Sequence, residues 1–287
     1  MRKLLLLTLL LAITISAWAQ TEIIKPDLSV SSKIAPDYFG PSAFPIPDML
    51  DGRVATKFGV ELAADIFDGH RGDMTEGVYL KLTAPLFSNR VTMTAWLTSL
   101  VEWYQMSEQS HEHSSLGDDI SLRGHEFGDA YISTDIHILC ETERRPDISL
   151  RVVLKTALGY GFFKARYYDS PGYFFDLAVG KSKYFNHSFF KEFRGALSTG
   201  FLCWQTDNGR QNDAPMYGVQ AKLVTRIFTL SETFGGYVGW EDDGDRPMSI
   251  KSELRFHAGR FEPLILSQYG IKDYPYTQWR VGVAYNF

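Results

Sequence analysis

Three clusters of polar residues carry side chains that could do chemistry. The run QTDNGR, Gln205–Arg210, brings a carboxylate, an amide and a guanidinium together at Asp207, Asn208 and Arg210. Acyl transfer needs a nucleophile whose proton a neighbouring base removes. Gln205 has no basic lone pair at neutral pH, and Asp207 is a poor substitute for an activated hydroxyl. The residues themselves describe a polar loop turning on Asn208-Gly209, and no catalytic residue is assigned. A second cluster, His111, Glu112, His113, Asp118, Asp119, His125 and Glu126, contains a His-x-His pair. On an extended chain both imidazoles would point one way and suit Zn or Cu. An acidic surface loop accounts for the same composition, so His111 and His113 stand only as metal candidates and no cofactor is expected. Asp242, Asp243 and Asp245 have the ligand type for calcium, but their spacing matches no known loop.

The third cluster emerges only from the elements that must hold it. In MSIKSELRFH, Met248, Ile250, Leu254 and Phe256 alternate with Lys251, Glu253, Arg255 and His257. Side chains alternate faces along a strand. The same period runs through Arg53–Phe67 and Tyr217–Phe228. From Arg53 onward the chain reads as strand, connection, strand, over 53–67, 76–88, 90–106, 128–143, 148–163, 173–185, 192–206, 217–229, 233–241, 248–260, 262–270 and 276–287. Each segment is long enough for a tilted bilayer crossing, which takes about 9–11 residues, whereas strands of soluble proteins average about 5–6. Long polar connections alternate with tight ones, as in barrels with long outer loops and short inner turns. The expected fold is all-β, a transmembrane antiparallel up-and-down barrel of about twelve strands with both termini periplasmic. It must close, because lipid cannot satisfy an open edge. Trp103, Tyr104, Tyr160, Tyr173, Trp240 and Trp279 sit where aromatic girdles belong.

If greasy faces meet lipid, charged faces meet the bore. Lys57, Glu61, Asp65, Asp135, His137, Arg151, Lys155, Lys222, Arg226, Lys251, Glu253, Arg255 and Arg280 are expected to line it. Acidic positions, with Glu102 and Glu141, fall on the early strands, and basic ones, with Arg194, mostly on the later strands. Opposed charges across a narrow bore would orient small polar solutes. The same charges could equally pair as a packed interior. His137 is expected to pair with Asp135 rather than act as a base.

The leading residues MRKLLLLTLLLAITISAWAQ have the layout of a secretory signal, with cleavage expected after Ala19. Removing Arg2 and Lys3 leaves 27 basic against 34 acidic residues, a net charge of −7. That argues against a nucleic-acid partner. Residues 20–52 carry Pro26, Pro36, Pro41, Pro45 and Pro47, which forbid a regular ladder. Their apolar residues suggest a segment lying in a lumen or across a mouth. The expected division is therefore 1–19 signal, 20–52 Pro-rich periplasmic or lumen-associated segment, and 53–287 barrel. Cys140 and Cys203, expected to face lipid, should lie too far apart to bond.

The final strand WRVGVAYNF resembles the insertion signal of bacterial outer-membrane β-barrels, with Trp279, Val281, Val283, Tyr285 and Phe287 alternating back from the terminus. In that family the assembly machinery reads this strand, which implies partners in that machinery, outer-membrane lipid and lipopolysaccharide. QTDNGR and the hairpin QYGIKDYPYTQWRVGV (268–283) resemble the outer-membrane phospholipase A barrel, whose signature is His-x-Ser-Asn-Gly-Arg. Asn208, Gly209 and Arg210 match it; Gln205 stands at its histidine and Asp207 at its nucleophile. The resemblance implies a barrel without the hydrolase. The expected function is a non-enzymatic narrow channel for small polar or anionic solutes, or a structural component, in a Gram-negative outer membrane. The alternative is a lipid-modifying hydrolase of phospholipase or lipid A deacylase type.

Overall fold

Alternation along β1 (Gly59–Gly69) sets the rule for the whole wall: Glu61, Ala63, Asp65 and Phe67 are buried, while Leu62 and Ile66 are exposed. A computed structural model describes residues 33–86, 89–114, 121–168, 171–206, 211–240 and 242–287. Residues 1–32, which hold the expected signal and the start of the expected Pro-rich segment, and residues 207–210 lie outside the described residues. The remaining strands are β2 (Met74–Leu86), β3 (Val91–Leu97), β4 (Glu102–Gln105), β5 (Arg123–Glu126), β6 (Ala130–Leu139), β7 (Asp147–Lys155), β8 (Gly172–Tyr184), β9 (Phe190–Gln205), β10 (Gln211–Thr225), β11 (Phe228–Tyr237), β12 (Met248–Phe256), β13 (Phe261–Lys272) and β14 (Tyr276–Asn286). One short helix, α1 (Glu108–Ser114), follows β4.

Twelve of these strands close an antiparallel ring. β1 seals it by pairing with β2 on one side and β14 on the other, from Gly59 opposite Asn286 to Gly69 opposite Tyr276. The expected strand 90–106 is split. β3 pairs with the lower half of β2, and β4 with Met74–Gly77 of its upper half. Between them, Leu100 N–H donates to Val78 O (2.7 Å) while Val78 N–H donates to Val101 O (3.2 Å). This bulge-like join bends the strand, and the β4–β5 hairpin rises above the ring. The first strand begins at Gly59 rather than Arg53, and β7 ends at Lys155, where the chain turns inward.

The outer wall is apolar around its circumference: Leu154, Leu197 and Val281 are 60–61% exposed, and Phe175, Val219, Ile250 and Ile265 are also exposed. Soluble monomers rarely expose contiguous apolar area beyond a few hundred Å². The buried residues lie inside the ring. Phe39, Phe44, Tyr131, Tyr168, Phe174, Trp204, Tyr237, Tyr274 and Tyr276 form a cluster within the lumen. Two of its members, Phe39 and Phe44, come from the segment preceding β1. That segment, residues 33–58, runs down the bore from the upper mouth to the lower mouth, where Phe287 also lies. The described chain therefore begins at the mouth opposite Phe287.

Candidate functional site

The upper part of the segment is held by donors from the wall. Prolines and an irregular backbone leave carbonyls without ladder partners, and buried carbonyls need donors. Tyr276 Oη donates to Phe39 O (3.0 Å), Tyr274 Oη to Pro41 O (3.2 Å) and Tyr237 Oη to Phe44 O (3.3 Å). Phe39 and Phe44 meet edge to face at 5.3 Å, and Phe44 lies 5.8 Å from Tyr168 and 6.4 Å from Trp204. At the rim, Arg71 holds both oxygens of Asp37 at 2.9 Å, and His113 Nε2 lies 2.9 Å from Asp37 Oδ2. The Tyr38 ring stacks on His113 at 4.5 Å. Its hydroxyl donates to Asp243 (2.6 Å), and this hydrogen bond pushes the phenol up to about 12.

A buried network supports this closure from the side. Arg166, in the connection after β7, donates through Nε and Nη2 to Glu102 Oε1 at 2.9 and 2.6 Å. Tyr167 Oη donates to Glu102 Oε2 (2.7 Å), and the Arg166 guanidinium lies 4.8 Å from the Tyr104 ring centroid. Gly40 passes so close that a Cβ there would sit 2.8 Å from Arg166 Cζ.

The lower part is held by charge. Arg53 reaches Asp147 (3.1 Å), Glu192 (2.8 Å) and Ser182 (3.0 Å). Arg194, fully buried, donates to Asp51 O (2.7 Å), Asp147 Oδ2 (3.0 Å) and Glu141 Oε2 (2.9 Å). The backbone runs against β8: a Cβ on Gly180 would sit 2.0 Å from Asp51 O, and Gly52 adopts φ +90°, which glycine tolerates best. Between these anchors, Lys251 pairs with Asp48 and Lys222 with Asp51, while Arg151 donates to Asp48 O.

On the side of the bore facing β10–β14, β1 and β2, the segment leaves space. A cavity of about 290 Å³ is lined by Lys81, Lys222, Lys251, Arg255 and Arg280 against Asp48, Glu61 and Glu253. A second cavity of about 320 Å³ shares Glu61, Lys81 and Arg255 with it and reaches Gly59 and Asn286 at the lower mouth. Together they form a vestibule whose wall carries five cations and two anions around the inner cavity. Arg280 is committed to Asp65 (two contacts of 2.7 Å) and lies 3.6 Å from the Tyr79 ring centroid. Arg255 donates to Glu61 and Glu253, both at 3.1 Å. Lys81 faces both cavities and among the described residues makes no direct ion pair, its charge acting at longer range on Asp48, Asp135 and Glu253.

The other expected bore residues fall as follows. Arg151 pairs with Asp176 (2.7 Å) and Lys155 with Asp129 (2.7 Å), and Asp135 is buried. Lys57 is exposed at the lower mouth, before β1 begins. Arg226 is not in the bore: it is exposed in the β10–β11 turn. His137 pairs with Asp147 (2.8 Å) rather than Asp135. A register shift after His137 turns Cys140 toward it, so that the thiol lies 3.8 Å from His137 Nδ1 instead of facing lipid. Asp147 is shared with Arg53, Arg194 and the Glu141 N–H, so its role in this thiol–imidazole–carboxylate row is structural. Cys203 is buried. Acidic and basic strands are not separated by an open field. Most of their charges pair with neighbouring strands, as Arg151 with Asp176 and Arg280 with Asp65, or with the segment in the bore, as Lys222 with Asp51 and Lys251 with Asp48.

His111 and His113 lie on α1 rather than an extended chain, so their rings point apart, and His113 serves Asp37. Among the described residues no group of three or more His, Cys, Asp or Glu side chains is arranged to hold a metal. Asp242 pairs with Arg246 (2.8 Å), and Asp243 accepts from Tyr38. Trp103, Tyr160, Tyr173, Trp240 and Trp279 are exposed on the outside, whereas Tyr104 turns inward and is buried. Trp279, Val281, Val283 and Phe287 point outward, and Tyr285 packs between Phe261 and Phe287 at ring distances of 4.9 Å. Asp207, Asn208 and Arg210 lie outside the described residues. Sequence reasoning missed Asp48, Asp51, Lys81 and Arg166. The two Asp residues carried a signal, being carboxylates inside a Pro-rich apolar segment.

The fold is that of outer-membrane β-barrels. A COG4313 outer membrane channel from Pseudomonas putida F1 superposes with a TM-score of 0.53 at 11% identity, over 84% of this chain and 100% of that one. The beta domain of the Bordetella autotransporter BrkA gives 0.43 at 11% identity, covering 82% of this chain and 100% of that one. The translocator domain of the autotransporter NalP from Neisseria meningitidis gives 0.39 at 12% identity, covering 82% of this chain and 90% of that one. No protein-family profile matches the sequence, and no curated protein matches it.

Proposed function

We propose that this chain is an integral outer-membrane barrel that admits small anionic solutes to a cationic vestibule and keeps its upper half closed with residues 33–46. The observation that carries this reading is the cavity pair at the lower mouth, with an excess of basic wall residues and Lys81 making no direct ion pair among the described residues. Fixed charges at a narrow constriction select ions of opposite sign. The apolar circumference supports insertion in a bilayer, and the outward-facing terminal strand supports recognition by the assembly machinery, with lipid and lipopolysaccharide around the wall. The lipid-hydrolase alternative, for which the sequence assigns no catalytic set, gains no support from the described residues.

The test is a planar-bilayer recording under a salt gradient. With its upper half closed the parent should pass little current. Phe39→Ala with Phe44→Ala, which loosens that closure, should pass a current whose reversal potential shows anion preference. Adding Lys81→Glu should move that potential toward cation preference. A current without ion preference, or one unchanged by Lys81→Glu, would refute the channel.

A further inference from the structure

The two lysines that face the vestibule from β10 and β12 hold carboxylates that belong to the chain itself. Lys251 pairs with Asp48, and Lys222 with Asp51. Each of these positions is also held a second way, through its backbone. Arg151 donates to Asp48 O, and Arg194 to Asp51 O through Nε (2.9 Å) and Nη2 (2.7 Å). The division of labour follows the chemistry. Guanidinium groups form rigid forks and here fasten the backbone, with Arg194 Nε also 3.6 Å from the Asp51 carboxylate, whereas the two lysine ammoniums are mobile point charges and here meet carboxylates. The lysine contacts can be exchanged for another anion while the backbone stays fastened, the Asp51 carboxylate keeps Arg194 and the Arg53 N–H (3.0 Å) as partners, and Phe39 and Phe44 keep the upper half closed.

We infer that Lys222 and Lys251 form a two-point site for a small dicarboxylate, which Asp48 and Asp51 occupy as a tethered stand-in. This deepens the anionic-solute reading above and rests on it. Register places the two lysines opposite Ser231 and Thr233 of β11, one on each flanking strand. Their Cα atoms are therefore about 12 Å apart along and across the sheet. Asp48 and Asp51 are three residues apart, so their Cα atoms span at most about 10 Å. A flexible chain with a carboxylate at each end matches this span, and a single carboxylate meets only one lysine. Met49 and Thr233 line the space between, and Glu253, in register opposite Ser231, borders it, so a solute must keep its charges at the lysine ends and its middle uncharged. A tethered competitor lowers apparent affinity for a free solute by the fraction of time it occupies the site.

The probe is azelate, titrated calorimetrically into the detergent-solubilised full chain. Asp48→Asn with Asp51→Asn should bind azelate at least about tenfold more tightly than the parent, because the competitor is gone. Adding Lys222→Met and Lys251→Met to that variant should abolish the gain. Equal affinity in the parent and the double Asn variant, or binding that survives loss of both lysines, overturns the site. The circular-dichroism β signal checks that each variant is folded. A second measurement needs no variant: saturating azelate should shift the side-chain carboxyl resonances of Asp48 and Asp51 in the parent, and unshifted resonances there also overturn the proposal. The channel reading fails by a different result, a bilayer current without anion preference, whatever the titration gives.

Discussion

The upper and lower halves of the bore are built from one wall but solved differently. Above, the N-terminal segment is packed: Phe39 and Phe44 sit among Tyr168, Trp204 and Phe174, and Arg166 is buried against Glu102. Below, the segment keeps to the β7–β9 side, fastened to Asp147, Glu141 and Glu192, and leaves a cavity of about 290 Å³ on the other. The difference lies in what the wall offers. Inward tyrosines and tryptophan near the upper strand ends can pack on a Pro-rich strip and donate to its carbonyls. Inward lysines and arginines lower down can only pair, and pairs with water access leave room. Closure is thus a packing property of the upper half, and the ion recognition proposed above would be a charge property of the lower half.

The largest test of that contrast is Arg166→Met against Lys81→Met. Removing Arg166 strands the buried Glu102 carboxylate and should cost about 3–5 kcal/mol. Lys81 is half-buried at the cavities, makes no direct ion pair among the described residues and acts on Asp48, Asp135 and Glu253 only at longer range, so its replacement should cost less than about 1 kcal/mol. Denaturant titration of the folded barrel measures both, and similar costs would break the contrast. A smaller effect is expected from Arg53→Met at the lower mouth. Arg53 is about a third exposed, so its ion pairs are screened, and the loss should be about 1 kcal/mol. Limited proteolysis should find residues 53–58 more readily cleaved with the upper segment still protected; cleavage at both ends would show the anchors to be one unit.

The smallest effect concerns the rim. Tyr38 titrates near 12 in the folded chain because Asp243 accepts its proton, against about 10 for an ordinary phenol. Its contribution is complete below about pH 10 and is lost as pH rises toward about 12. The parent should therefore lose more thermal stability between these pH values than Tyr38→Phe does. Equal losses would remove Tyr38 from the upper latch.

Strand positions were largely legible in the residues, because a period of two over long segments is a local property. Ile250 and Val281 face outward while Lys251, Arg255 and Arg280 face inward, as the alternation implies once lipid is the outer solvent. Boundaries suffered where the chain stays extended without pairing, as at residues 53–58, or turns inward early, as after Lys155. The candidate site was less legible. Arg280 reads as a lumen cation, but its commitment to Asp65 depends on β1 meeting β14, a contact between chain ends. His137 reads as a partner of nearby Asp135, yet the register opposite β7 delivers Asp147 instead.

By itself the sequence determined that this is a long-stranded barrel with apolar residues facing out and charged residues facing in, because side-chain alternation depends only on neighbours along the chain. Only the tertiary structure decided which charges neutralise one another, that residues 33–58 thread the bore, and that Asp48 and Asp51 rest on Lys251 and Lys222. Those outcomes depend on ring closure, which brings residues far apart in the chain face to face across a space a few side chains wide.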